Sequence, residues 1–366
     1  MATSMTPPKP TKNQIINPLF MHPFVKIFGI DIILTIAAIL VAGFYLGPHG
    51  ALVALLLIIL EVGFSFDNAA VNARVLETLS RGWRIAFLSV GIIIAVFGMR
   101  ILFPILAVAL AAGIDMGSVV DLAINNPDLY AEHLEGSHTI IAAFGGSFLL
   151  LVALSYFIMD NRNTKKMFIK PVEKLISKVP PKWYSAPLIT LMAVTVIAFI
   201  YDRDNPAEVL LPGVVATVLY TVIHLLVNLA SRRSKAAGGA KLISGMAGLS
   251  AFMYLEVLDA SFSLDSVVGA FAITSSVLLI ALGLGVGALW VRSLTIYMVD
   301  HKLLHKYVYI EHGAHYAVFA LAVIMIMSVT FSVPEVITGL IGAVIIGLSV
   351  VASISHAKKL ENKPTS

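Results

Sequence analysis

Two acidic stretches lie inside apolar runs long enough to cross a membrane, and this restricts the fold more than any other feature of the chain. The first is Glu61-Val62-Gly63-Phe64-Ser65-Phe66-Asp67-Asn68. The second is Asp259-Ala260-Ser261-Phe262-Ser263-Leu264-Asp265-Ser266, with Glu256 three residues before Asp259. A carboxylate at the bilayer centre costs roughly 2.5–3.5 kcal/mol on insertion scales, so clustered acids there point to something that binds them. The central expectation is a mid-membrane site for a divalent metal ion, built from both stretches.

Composition agrees with a polytopic membrane protein. The 366 residues are 58% hydrophobic and 13% charged, against about 25% charged in a soluble domain. The chain carries a formal net charge of +4. Its basic residues fall in short loops, which reads as membrane topology rather than nucleic-acid binding. The absence of cysteine excludes disulfides and thiolate metal sites. No cleavable signal peptide is apparent in the polar, proline-rich first 23 residues.

The hydropathy pattern predicts an all-α bundle of about ten transmembrane helices. Residues 1–24 read as a disordered cytoplasmic tail, 25–201 as a first transmembrane repeat, 208–355 as a second, and 356–366 as a cytoplasmic tail. Spans are expected near 25–46, 51–79, 85–112, 139–159, 185–201, 208–230, 243–275, 277–298, 314–331 and 336–355. Spans 2 and 7 carry the acidic stretches and are expected to be kinked or broken, with Gly63 as the weak point. The 161–182 and 231–241 loops are basic, whereas 113–136 holds Asp115, Asp121, Asp128, Glu132 and Glu135 without Lys or Arg. The positive-inside rule then puts both termini in the cytoplasm, and a bacterial inner membrane is the expected location. The basic 161–182 run reads as a solvated face meeting anionic lipid.

The two acidic stretches align at an offset of 198 residues, matching Phe64-Ser65-Phe66-Asp67 to Phe262-Ser263-Leu264-Asp265. Gly91 and Arg100 match Gly283 and Arg292 at 192, and His138 matches His315 at 177. Span 2 runs inward and span 7 outward, so the five-span repeats are inverted. Secondary transporters of that architecture bind substrate where the halves meet.

Glu61, Asp67, Glu256, Asp259 and Asp265, with Ser65, Asn68, Ser263 and Ser266, make an all-oxygen set suited to Mn²⁺, Mg²⁺ or Ca²⁺. Glu61 and Asp67 are six residues apart, about 240° around a straight helix, so only a local break lets them converge. Arg100 and Arg292 are candidate counter-ions or gates. His138 and His315 are candidate proton relays or helix-end caps. The bland alternative makes the acids structural partners of the two arginines. No nucleophile–base pair and no phosphate-binding loop is visible, so an enzyme is not expected.

At Glu61-Val62-Gly63-Phe64-Ser65-Phe66-Asp67-Asn68-Ala69 and Glu256-Val257-Leu258-Asp259-Ala260-Ser261-Phe262-Ser263-Leu264-Asp265-Ser266 the chain resembles the TerC family of integral membrane proteins. That family belongs to the LysE transporter superfamily, and this chain resembles a branch labelled as a domain of unknown function. The resemblance implies Mn²⁺ efflux, or Mn²⁺ supply to exported proteins, with the acidic motif residues as ligands. Two readings follow: a transporter exporting a divalent cation, with proton exchange as one coupling, or a non-transporting membrane partner that hands metal to exported proteins or the secretion machinery. The second motif has Ser266 where the first has Asn68.

Overall fold

The computed structural model describes residues 23–160, 167–236, 242–274, 276–331, 333 and 335–361. Residues 1–22 of the expected 1–24 tail, the Gly238-Gly239 loop and the last five residues lie outside the described residues, while Pro23 and Phe24 already belong to the first helix. So does the side chain of Asp265. Among the described residues there is no strand, only an isolated parallel bridge between Leu79 and Ile243.

The helices are α1 (Pro23–Phe64), α2 (Phe66–Thr78), α3 (Arg81–Ile93), α4 (Phe103–Ala112), α5 (Met116–Asn125), α6 (Pro127–Gly136), α7 (His138–Ser155), α8 (Lys170–Ile176), α9 (Ser185–Tyr201), α10 (Ala207–Ala236), α11 (Gly245–Ile273), α12 (Val277–Asp300), α13 (Leu303–Lys306), α14 (Ile310–Ser328) and α15 (Glu335–Glu361). A wide π-helical stretch, Ile94–Leu102, joins α3 to α4, and a second, Tyr156–Asp160, ends α7. Seven helical stretches among the described residues are long and apolar enough to cross a membrane. The protein is a multi-pass membrane protein.

The 42 residues of α1 would reach roughly 63 Å if straight, about twice the hydrocarbon thickness of a bilayer. They do not run straight. Gly47 takes φ +71°, and Pro48 follows it. Beyond this point the chain doubles back. A Cβ placed on Gly43 would lie 3.4 Å from the Cβ of Ala51, whereas eight residues of straight helix advance about 12 Å. Gly47 is thus the hairpin tip between the first two expected spans, and its left-handed backbone suits glycine.

The rim and centre of the bundle differ in burial. The apolar window of α7 is 89% buried, against 22% for those of α1 and α15. Phe44, Ile30 and Leu110 point outward, as apolar side chains facing lipid do. The central α2 packs against α12, α14, α11 and α15. It buries Asp67, Asn68 and Asn72 along with its alanines.

The break in span 2 falls at Ser65, between α1 and α2, rather than at Gly63. It is slight: Ser65 N–H still donates to the Glu61 carbonyl, and Ala69 N–H to that of Ser65. Span 7 departs from expectation, because α11 is helical without interruption from Gly245 to Ile273. At the position matching Gly63 it has Ser261, whose hydroxyl donates to the Val257 carbonyl one turn back. At the other end of the chain, α15 continues to Glu361, so residues 356–361 are helix rather than tail.

Candidate functional site

The glycines of α3 and α12 let charged side chains lie flat between helices. A Cβ on Gly287 would come 2.5 Å from the Cβ of Glu61. A Cβ on Gly91 would come 2.5 Å from Nη1 of Arg292 and 2.6 Å from Oε1 of Glu256. Both glycines are close-approach positions, and side chains there would displace the acids. On α12, Gly287 and Arg292 are five residues apart, about 7.5 Å of helix rise. The charged groups of the two motifs therefore meet α12 at neighbouring depths.

At the first level, Arg100 pairs with Glu61, both buried. Arg100 also donates through Nη1 to the Ala95 carbonyl at 2.7 Å. Arg100 and Ala95 both lie on the π-helical stretch, whose widened turn leaves carbonyls off the regular ladder. The Ser65 hydroxyl donates to Glu61 at 3.3 Å. At the second level, Nη2 of Arg292 lies 3.3 Å from Glu256 and 3.5 Å from Asp259. Its Nη1 donates to the Phe87 carbonyl at 2.7 Å, and the guanidinium sits 4.2 Å from the Phe87 ring centre.

One bond links the two motifs. The Asn68 amide donates to Asp259 Oδ1 at 2.8 Å, and Asn72 donates to the Asn68 carbonyl oxygen at the same distance. The result is a buried polar band of two clusters, Arg100–Glu61–Ser65 and Asn68–Asp259–Arg292–Glu256, joined through the backbone between Ser65 and Asn68. Asp67 stands apart from it. Its Oδ1 accepts from the Asn68 N–H at 2.9 Å, and its Oδ2 lies 3.8 Å from where a Gly342 Cβ would be, on the α15 side. The bend at Ser65 does not bring Glu61 and Asp67 onto one face.

The remaining candidates are scattered. Ser263 is buried and its hydroxyl has no partner, while Ser266 is half-buried. His138 Nε2 is 3.4 Å from the Ser328 hydroxyl. His315 stacks on Tyr156 at 3.7 Å and places Nδ1 2.8 Å from the Glu311 carbonyl. Neither histidine touches the band. Among the described residues no three of His, Asp or Glu converge as a ready-made metal cage.

Phe87 and Ala95, whose carbonyls anchor the arginines, and Asn72 carry no mark that a reading of the sequence could find. Gly91 was legible only as a repeat marker. Its packing role shows once Arg292 is seen lying against it.

A family profile described as "Protein of unknown function (DUF475)" matches residues 66–360. The chain belongs to the DUF475 family. The matched region holds Asp67, Asn68, Arg100, Glu256, Asp259 and Arg292, while Glu61 precedes it. No curated protein and no solved structure matches this DUF475 chain.

Proposed function

We propose that this DUF475 protein is a secondary transporter that exports a divalent cation, Mn²⁺ in the first instance, through the carboxylates of α1, α2 and α11. The observation that carries the reading is the Asn68–Asp259 hydrogen bond, which couples the two acidic motifs at one buried position. Around it, Glu61 pairs with Arg100, Glu256 and Asp259 share Arg292, and Asp67 is a fourth buried carboxylate standing apart on the α15 side. If all are ionised, two negative charges are left over, and one dication balances them. Glu61 Oε2 and the Ser263 hydroxyl are buried oxygens without partners, of the hard-donor type such ions take.

The inverted five-span repeat, the TerC kinship, the inner-membrane location and cytoplasmic termini belong to the same reading. Its support is that Arg100 and Arg292, matched by the repeat, each pair with an acid of their own half. In this scheme the arginines are resident counter-ions that a cation displaces, and proton exchange restores the empty state.

A second reading makes the protein a metal-binding partner of exported proteins. It draws on α5 and α6, which expose Asp121, Asp128, Glu132 and Glu135. Reconstitution separates the two. Purified protein in liposomes is expected to carry Mn²⁺ across the bilayer, and Asp67→Asn and Asp259→Asn are each expected to abolish flux while leaving monodisperse protein. Mn²⁺ binding without flux in the wild type would sink the transport reading and favour the partner.

A further inference from the structure

The 161–182 stretch is basic, yet its one acidic residue, Glu173, is only 4% exposed. Glu173 accepts from the N–H groups of Phe168 at 2.9 Å and Ile169 at 3.1 Å, and from the Tyr316 hydroxyl at 3.4 Å. His312 Nε2 stands 3.8 Å away. Tyr316 and His312 belong to α14, so Glu173 pins α8 to the end of the bundle in one orientation.

That orientation decides what α8 shows to its surroundings. At about 100° per residue, Glu173 and Ile176 share the face toward the bundle, Pro171 and Leu175 fall on the far side, and the exposed Val172 lies between. Leu175 is 65% exposed. Lys170 and Lys174 line one edge of this strip, and Lys178 and Lys182 follow; all four are exposed. Trp183, 67% exposed, and Tyr184 come next, just before the apolar helix α9. Interfacial segments combine these features: an apolar strip, a lysine edge, and aromatic rings at headgroup level.

We propose that α8, with Lys178, Lys182, Trp183 and Tyr184, is a docking surface for the headgroups of anionic phospholipids, and that buried Glu173 is the residue that positions it. Charge complementarity selects the occupant, since four lysines attract phosphate-bearing headgroups at a surface flanked by two apolar helices. The inference is independent of any transported ion.

The chain has no cysteine, so Leu175→Cys carries a single environment-sensitive fluorophore. In nanodiscs, emission is expected to shift to the blue as phosphatidylglycerol replaces phosphatidylcholine, and high salt is expected to reverse the shift. Each Lys→Gln change at 170, 174, 178 or 182 is expected to weaken the apparent lipid affinity roughly fivefold. Glu173→Gln is expected to reduce the shift; a full shift in that variant removes the positioning role. Equal emission in neutral and anionic nanodiscs overturns the docking surface. A shift produced by inorganic phosphate in neutral nanodiscs overturns the lipid assignment in favour of a soluble anion. Because the lysine side chains are exposed, their variants keep the test valid even where Glu173→Gln fails to fold.

Discussion

The Glu61–Arg100 pair offers the sharpest test of what the buried charges do. Both side chains are almost fully enclosed, 2% and 3% exposed. Glu61→Gln leaves the guanidinium with only neutral acceptors, the amide oxygen and the Ala95 carbonyl, and Nε of Arg100 is already unpartnered. Arg100→Met leaves a buried carboxylate held only by Ser65 at 3.3 Å. Breaking a buried pair from one side costs about 3–5 kcal/mol, because the surviving charge is stranded. Removing both partners strands nothing, so the double variant is expected to lose less than the sum of the singles by more than about 3 kcal/mol. Reversible unfolding in mixed detergent micelles, run as a double-mutant cycle, reads these values. Additive losses would refute the ion-pair account. The same stable double variant also separates the two roles of Glu61. It should keep Mn²⁺ flux if the residue is only a counter-ion, and lose flux if the residue is a ligand.

Two further outcomes follow from local geometry. Gly91→Ala puts a methyl group 2.5 Å from Arg292 and 2.6 Å from Glu256, so it is expected to destabilise by about 1–3 kcal/mol, whereas Gly82→Ala, with nothing within 4 Å, is expected to be tolerated in the same unfolding assay. At the start of α5, Asp115 accepts from the hydroxyl and N–H of Ser118, which hold its carboxyl below the usual range. A folded-state value below the unfolded one stabilises the cap above the unfolded value, and the effect is lost as pH falls through the folded one. Protection of the Ser118 amide, its exchange rate taken against the intrinsic rate at the same pH, is therefore expected to fall on acidification, and Asp115→Asn to flatten that dependence.

Much of the bundle was legible in the sequence, because apolar length is what a bilayer selects. Gly47-Pro48 marked the hairpin tip correctly, since few residue pairs force so sharp a reversal. The alternative in which the arginines are partners of the acids describes Glu61, Glu256 and Asp259, while Asp67 stands apart from both arginines. The uniform course of α11 was not legible. A motif that bends at Ser65 in one helix runs straight in the other, where Ser261 replaces Gly63 and closes a side-chain bond to its own backbone. Nor was Glu173 distinguishable among lysines, because its burial depends on Tyr316 and His312, more than a hundred residues away in sequence.

The bond lengths also suggest how a cation would enter. A dication near Asp259 is repelled by Arg292, by about 8 kcal/mol at 4 Å with an effective dielectric constant of about 20. Entry on the proposed reading therefore requires the guanidinium to let go of the acid. Arg292 has somewhere to stay when it does: the Phe87 carbonyl holds it at 2.7 Å and the Phe87 ring lies beneath it, whereas Asp259 is reached at only 3.5 Å. Among the described residues no ring lies under Arg100, which has the Ala95 carbonyl beside Glu61. On the proposed reading release comes first at Arg292, and Asp259, already tied to α2 through Asn68, is the arginine-paired carboxylate that meets an incoming ion.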